Sequence, residues 1–457
     1  MATIQKRNNS YKITASCGYN SSGKQLRKSI TWTPSPGMTP KQIEKELERQ
    51  KVMFEEKCRN GTYLDGNIKL SDYAEKWFTD YATTQLKSET YYVYQTMMKR
   101  VNQALGHIRI DRIQPHHLLE FYNNLAECGI REDIKYKPVK DIKKLLIAKK
   151  MTQKILAERS GLSDATIRSC IKGNNVSKLS AEKIMTVLND NKAFEPIGTE
   201  KTLSGETILH HHRFISAMLS TAVEWQLIPH NPCDRVKPPK VKHKEAVYLD
   251  DVQVLDLIRC LDKAPLQYRT LVMLLLYSVM RRGEVCGLEW SDIDFKNAIV
   301  DISKSSLYLP NKGIYEDTPK NKTSQRKIKI PDDMIQLLKE HRAEQNRLRL
   351  SVGDKWQNSN KIFTTVFGSP IHPDSVSGWF RKFIKTNNLP KIHLHSLRHT
   401  NATLLIANGT NIITVAKRLG HATPVTTSNI YAHAIKTADE LASEKLSDIL
   451  NPIRKQS

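Results

Sequence analysis

Residues 395–433 read HSLRHTNATLLIANGTNIITVAKRLGHATPVTTSNIYAH. His395 and Arg398 stand three apart at the start of a helical pattern, which places them on one face of a helix near its N-terminus. A helix N-terminus offers unpaired N–H groups and the positive end of the macrodipole, so it already favours a phosphate. A second short helix pattern, VAKRLG, ends at Gly420, and His421 follows it. A turn rich in Thr and Ser then leads to Tyr431. A tyrosine in such a place is ordinarily a packing residue. Two histidines, an arginine and a phenol in one stretch raise a second possibility, that the phenol is a nucleophile.

Upstream, the apolar helix YRTLVMLLLYSVM (268–280) delivers RRGEVCGLEWSDID (281–294) at its C-terminal end. An arginine pair directly after such a helix is odd for packing alone, because a buried guanidinium needs an anionic partner or full hydrogen bonding. Glu284, one turn after Arg281, can orient that guanidinium and leave its fork for a phosphate. Next, AIVDIS and RKIKIP read as strands flanking SSLYLPNKGIYEDTPKNKTSQ, whose Lys320 and Lys322 would reach outward from a loop. Taken alone, such lysines belong to a solvated loop.

The ordered set Arg281, Lys320 or Lys322, His395-x-x-Arg398, His421 and Tyr431 resembles the tyrosine recombinase (phage integrase) family, as does the wording RRGEVCGLEWSDID, HSLRHTNATLL and LGHATPVTTSNIYAH. The resemblance implies a site-specific DNA recombinase that integrates or excises a mobile element or prophage. It implies cleavage through a 3′-phosphotyrosine bond and a free 5′-hydroxyl, with rejoining that needs no ATP. Arg281 and Arg398 would clamp the nonbridging oxygens of the transition state, and His395 and His421 would add hydrogen bonds. Fixed cations would then do what Mg²⁺ does elsewhere, so neither a metal nor another cofactor is expected. A free phenol has a pKa of about 10 and needs a base or a strong positive field to attack at neutral pH. The lysine is the expected proton donor to the departing oxygen. The wording TPKNKTSQR favours Lys320, with Lys322 close behind. The chain departs from the family in two ways. Ser278-Val279 stands where Thr-Gly is usual, and the middle of the chain carries an insert.

The bulk numbers agree with a nucleic-acid partner. The chain has 457 residues, room for about three domains, and a net charge of +24, the balance of a protein that meets a polyanion. No run approaches the length of a membrane span, and the N-terminus has no apolar signal region. The seven cysteines are scattered singly, which fits a reducing cytoplasm, with association to the nucleoid. The triplet His210–His212 lacks an acidic or cysteine partner and reads as a polar helix face rather than a metal site.

The expected fold is multidomain α+β. Residues 1–65 read as a small β-sheet plus one helix, resembling an arm-site DNA-binding domain. Residues 68–130 and 199–237 are helical and resemble a core-binding domain, ending in the Pro- and Lys-rich stretch PHNPCDRVKPPKVKHK, read as a linker. Residues 245–457 resemble the catalytic domain, mostly α with a small sheet. Between the helical blocks, 136–192 carries a four- or five-helix pattern of its own. In TQKILAERSGLSDATIRSCIKG, Ala157 is small where helices cross, Gly161 permits the turn, Ser163 caps and Ile167 fills the core. This resembles a Cro/repressor-type helix-turn-helix, which implies that Thr166, Arg168 and Ser169 face a major groove. The alternative is a helical spacer or docking surface. Double-stranded attachment sites, a homotetramer on synapsed DNA and an excisionase or DNA-bending host protein are the partners implied, with no membrane. The tail TADELASEKLSDILNP would pack on a neighbouring subunit or fold back on its own domain. Two competing functions are a non-enzymatic DNA-binding regulator and supercoil relaxation of the type IB kind.

Overall fold

The computed structural model describes residues 2–19, 23–59, 67–131, 133–198, 201–241, 247–317, 325–432 and 443. Lys320, Lys322 and, apart from Ser443, the C-terminal pattern at 437–452 lie outside the described residues. The chain divides into two compact units, Met1–Lys242 and His243–Ser457. Both are helical with small sheets, an α+β composition.

The N-terminal unit opens with β1 (Thr3–Arg7), β2 (Ser10–Tyr19) and β3 (Gln25–Trp32) in antiparallel order β1-β2-β3. Ile13 and Ala15 alternate inward along β2 and meet Phe54 and Cys58 of α1 (Pro40–Arg59). The helical block follows. In it, α2 (Leu70–Trp77) passes through a π-turn at Phe78–Ala82 into α3 (Thr83–Gln85), then α4 (Ser88–Leu105) and α5 (Pro115–Leu125). Lys69 is the N-cap of α2 and makes no side-chain bond there, while the Ser71 hydroxyl donates to Asp72.

Next come β4 (Lys135–Pro138), α6 (Ile142–Ala148), α7 (Gln153–Ser160), α8 (Asp164–Ile171), β5 (Val176–Ser177), α9 (Lys178–Leu188) and β6 (Phe194–Ile197). Asp141, Thr152, Ser163 and Ser177 each accept a hydrogen bond from a backbone N–H in the first turn of the helix that follows. Gly161, in the left-handed region at φ +61°, closes α7 two residues before the Ser163 cap of α8. The segment holds four helices, within the four or five expected, and in addition a small sheet that the sequence did not suggest, in which β4 pairs with both β5 and β6. Lys135 pairs with Ile197 and Pro138 with Phe194, which closes the ends of the segment onto each other beyond the expected limits of 136 and 192. Strands of two to four residues are too short to show an alternation.

Then α10 (Gly205–Glu224) returns to the helical block, where Phe214 packs 4.7 Å from Tyr94 and 6.1 Å from Trp77. Two expectations fail here. His211 is fully buried, with Nδ1 2.8 Å from the Thr207 carbonyl, and His212 lies 2.9 Å from the Tyr122 hydroxyl, so of the triplet only His210 is exposed. The presumed linker begins late as well. Asn231, Pro232, Cys233 and Val236 are buried, and the Asn231 amide donates to the Ser216 carbonyl and the Ser220 hydroxyl.

The C-terminal unit contains α11 (Asp251–Leu261), α12 (Leu266–Ser278), α13 (Arg282–Gly287), β7 (Ile293–Asp294), β8 (Ile299–Ile302), β9 (Ser305–Leu309), β10 (Gly313–Asp317), β11 (Arg326–Lys329) and α14 (Asp332–Val352). It continues with α15 (Pro373–Thr386), α16 (Leu394–Ala407), α17 (Ile412–Leu419) and α18 (Pro424–Ile430). One sheet has the order β11-β8-β7, and β9 and β10 form a hairpin. A single apolar cluster runs from Leu249 to Tyr431, with Leu271, Val272, Leu274 and Leu275 of α12 among its buried members. Burying each such side chain stabilises by about 1.5–3 kcal/mol, which fixes the helices that carry the site. Among the described residues, no helix is long and apolar enough to cross a membrane.

Candidate active site

The site grows from the C-terminal end of α12. A helix end leaves its last carbonyls without intrahelical partners and carries partial negative charge. Here cationic and amide side chains from later elements meet them. Asn401 donates to Leu276, Arg418 to Tyr277 at 2.8 Å, and Arg398 to Val279. Arg398 also donates to the carbonyl of Leu419, the last residue of α17. The arginine is thus held by two helix ends, and only 3% of its surface is exposed. Burial, with Arg281 and Arg326 near, pulls its pKa down to about 9, still charged at neutral pH.

Val279 occupies the position where the family usually has glycine, and its backbone is left-handed at φ +51°. That conformation costs a β-branched residue about 1–2 kcal/mol. Its side chain is fully buried, and three buried carbons return about 2.4 kcal/mol at 0.8 kcal/mol each. Packing therefore offsets the strain, and the turn that presents Arg281 forms without glycine.

Arg281 is the N-cap of α13. Its Nη1 donates to Glu284 Oε1 at 2.8 Å, and its backbone N–H to Oε2 at 2.9 Å. The guanidinium side chain remains 42% exposed, whereas that of Glu284 is 4% exposed. Arg326, at the start of β11, donates to the same carboxylate at 2.8 and 3.3 Å and to the Arg418 carbonyl at 2.7 Å. Burial alone would push the Glu284 carboxyl up; Arg326 and Arg281 outweigh it and hold the group below the usual carboxylate range. Arg282, the second of the pair, points elsewhere and joins Asp374 and Ser377 at 2.7 and 2.9 Å. α13 lies close to β9: a Cβ on Gly283 would sit 2.3 Å from Ser305 Oγ, which would have to rotate away, and 3.1 Å from the Ser306 carbonyl oxygen.

His395 and His399 lie one turn apart on α16, their rings 4.8 Å apart and edge-on. His395 is exposed as a whole residue, yet partial burial, with His399, Arg398 and Arg281 around it, draws its pKa down to about 4. His421 follows Gly420, whose left-handed backbone ends α17, and its Nδ1 lies 2.8 Å from Thr427 Oγ1. Burial and then Arg398, Arg281 and Arg326 draw it to about 4 as well. Tyr431 closes α18 and is 1% exposed, with its hydroxyl 2.9 Å from His399 Nδ1. Burial pushes the phenol up to about 12, although Arg398 pulls the other way.

Arg281, Glu284, His395, Arg398, His421 and Tyr431 are therefore gathered around the ends of α12, α16 and α17, and Lys320 and Lys322 lie outside the described residues. Two members were missed in the sequence. His399 stands four residues after His395, so the same helical face could have included it. Arg326 had no signal, since a charged residue opening a short strand is ordinary. On α8, Thr166, Arg168 and Ser169 make local bonds to Ser163, the Asp164 carbonyl and Asn174. Among the described residues, no group of three or more metal-binding side chains gathers.

Residues 247–437 match the Phage integrase family, and residues 69–126 match the Phage integrase, N-terminal SAM-like domain. The ICEBs1 integrase of Bacillus subtilis is 29% identical over 251 residues, 55% of this chain and 68% of its own length. A XerC-like tyrosine recombinase of Caldanaerobacter subterraneus is 25% identical over 459 residues, 96% of each chain. The fold is similar to that of the Tn1549 transposon integrase solved in complex with transposon right end DNA, with a TM-score of 0.57 and 20% identity over 83% of this chain and 100% of that one. The two matches cover α2–α5 and the arginine–histidine–tyrosine cluster in the order found along the chain, and the protein is a tyrosine-type site-specific DNA recombinase of mobile elements or prophages.

Proposed function

We propose that the recombinase cuts each strand by attack of Tyr431 on a phosphodiester, forming a 3′-phosphotyrosine bond and freeing a 5′-hydroxyl. Arg281 and Arg398 clamp the nonbridging oxygens, and His395 and His421 donate further hydrogen bonds. Glu284 orients Arg281, and Lys320 or Lys322 protonates the departing oxygen. The observation that carries this reading is the position of Arg398. A guanidinium that is 97% buried makes no ion pair among the described residues and is held by two helix-end carbonyls, close enough to influence Tyr431. Packing alone does not call for such a charge, whereas a phosphate does.

The remaining architecture follows the same reading. Residues 1–65 contact arm sites, 68–130 with 199–237 grip the core site, and 245–457 carry the chemistry. The insert at 136–192 acts as a Cro/repressor-type helix-turn-helix that presents Thr166, Arg168 and Ser169 to a major groove. The working form is a homotetramer joining two attachment sites, at home on the nucleoid and directed by an excisionase or a DNA-bending host protein. The test uses nicked duplexes that span the junctions between the chromosome and the mobile element carrying the gene. Wild-type chain is expected to form an adduct that survives denaturation, and Tyr431→Phe to form none. An adduct that persists in Tyr431→Phe, or maps to another residue, overturns the assignment.

A further inference from the structure

We propose that His399 accepts the phenol proton of Tyr431 during strand cleavage, a catalytic role beyond the set assigned above and one that rests on Tyr431 being the nucleophile.

Three observations lead there. The Tyr431 hydroxyl lies 2.9 Å from His399 Nδ1, within proton-transfer distance. Tyr431 is 1% exposed, so bulk water has almost no access to that proton. The other histidines are placed differently: Nδ1 of His421 is engaged by Thr427 at 2.8 Å, and His395 meets the edge of His399 rather than the phenol. The groups facing His399 are His395 and Arg398 on its own helix, Tyr431 beyond α18 and His421 in the turn before α18. Burial and then Arg398 lower its pKa, so the imidazole is neutral at pH 7 and Nδ1 can hold a lone pair toward the phenol.

The step balances. The phenol O–H breaks and its proton passes to Nδ1. The phenol oxygen forms a bond to phosphorus as the bond from phosphorus to the 5′-oxygen breaks, and that oxygen takes a proton from the lysine. In rejoining, the 5′-hydroxyl attacks, its proton returns to the lysine, and His399 gives its proton back to the leaving tyrosine oxygen. The adjacent Arg398 makes a protonated His399 a better acid for this return.

The experiment measures single-turnover adduct formation by the full chain on the nicked junction duplexes between pH 5 and 9. It compares wild type, His399→Asn and His399→Ala, with duplex binding and thermal melting as folding controls. Asn places an acceptor near the Nδ1 position but cannot take a proton. The wild-type rate is expected to fall about tenfold per pH unit below a midpoint under the ordinary imidazole value of about 6.5. His399→Asn should be slower by about 100-fold or more at pH 7, lose that midpoint, and accelerate steadily toward pH 9 as hydroxide replaces the base. A wild-type rate and pH profile in His399→Asn, or an unchanged rate in His399→Ala, overturns the proposal while leaving Tyr431 as nucleophile. An adduct absent from the wild type would instead remove the parent reading. Should His399→Ala melt, His399→Asn decides alone.

Discussion

The segment 135–197 and the C-terminal unit both fill their interiors with leucine and isoleucine, yet they treat charge in opposite ways. The segment buries Leu156, Ile167, Ile184 and Leu188 and buries no ionisable side chain other than the thiol of Cys170. Its polar work is done at the surface by hydroxyl and carboxylate caps. The C-terminal unit buries Glu284, Arg398, Lys361 and His341, and the side chain of Arg326 is 6% exposed. Lys361 is held by the Gly287 carbonyl, Glu289 and Glu316. Replacing buried ion pairs with apolar residues often stabilises a protein, so such charges are poor building material. Glu284, Arg326 and Arg398 gather at the ends of α12, α13 and α17, where the candidate site lies.

Breaking one buried pair gives the largest expected effect. Glu284→Gln leaves Arg281 and Arg326 without their shared carboxylate and is expected to destabilise the C-terminal unit by about 3–5 kcal/mol, read by hydrogen exchange of α12 and α13 amides in the full chain. A loss under 1 kcal/mol would mean the network is not held by that carboxylate. Next, Ile167→Ala is expected to cost the segment about 2–4 kcal/mol. The same exchange measurement should show α7, α8 and α9 opening more readily while α12 is unchanged. Spread of the effect into α12 would show that the two cores are not energetically separate.

The smallest effect is a pH dependence confined to one core. His395 and His421 are drawn to about 4 in the fold, below the imidazole value in an unfolded chain. The unfolded chain therefore binds more protons between about 6.5 and 4, and stability falls as pH drops through that window. Glu284, held below its ordinary range, loses its contribution lower still, as pH falls through its depressed value. The segment 135–197 contains no histidine. Between pH 7 and 5, amides of α12 and α16 are expected to lose protection relative to those of α7 and α9. Equal loss in both regions would contradict the assignment of the acid-sensitive groups.

The same contrast explains what could be read in advance. In the segment, Gly161 and Ser163 act through neighbours three or four residues away, and such short-range rules are written in order along the chain. The sheet that closes it was invisible because β4 must find β6 across 55 or more residues, and neither strand is long enough to signal itself. Around the active site, Arg281 and Glu284 are one turn apart and their ion pair was legible. Arg326 reaches the same carboxylate from 42 residues away, and the Tyr431–His399 contact spans 32. Spacing in sequence carries no information about such distances.

By itself the sequence determined the residue types on offer: an ordered series of cations, imidazoles and one phenol, on helices whose periodicity and caps are local. Only the tertiary structure decided which of these groups meet. It satisfied the end of α12 with Arg398, Arg418 and Asn401, and it turned the phenol toward His399 rather than toward a histidine nearer in the chain. The reason is physical. A buried polar group must find its partner somewhere in the fold, and packing the apolar faces together sets where that partner stands.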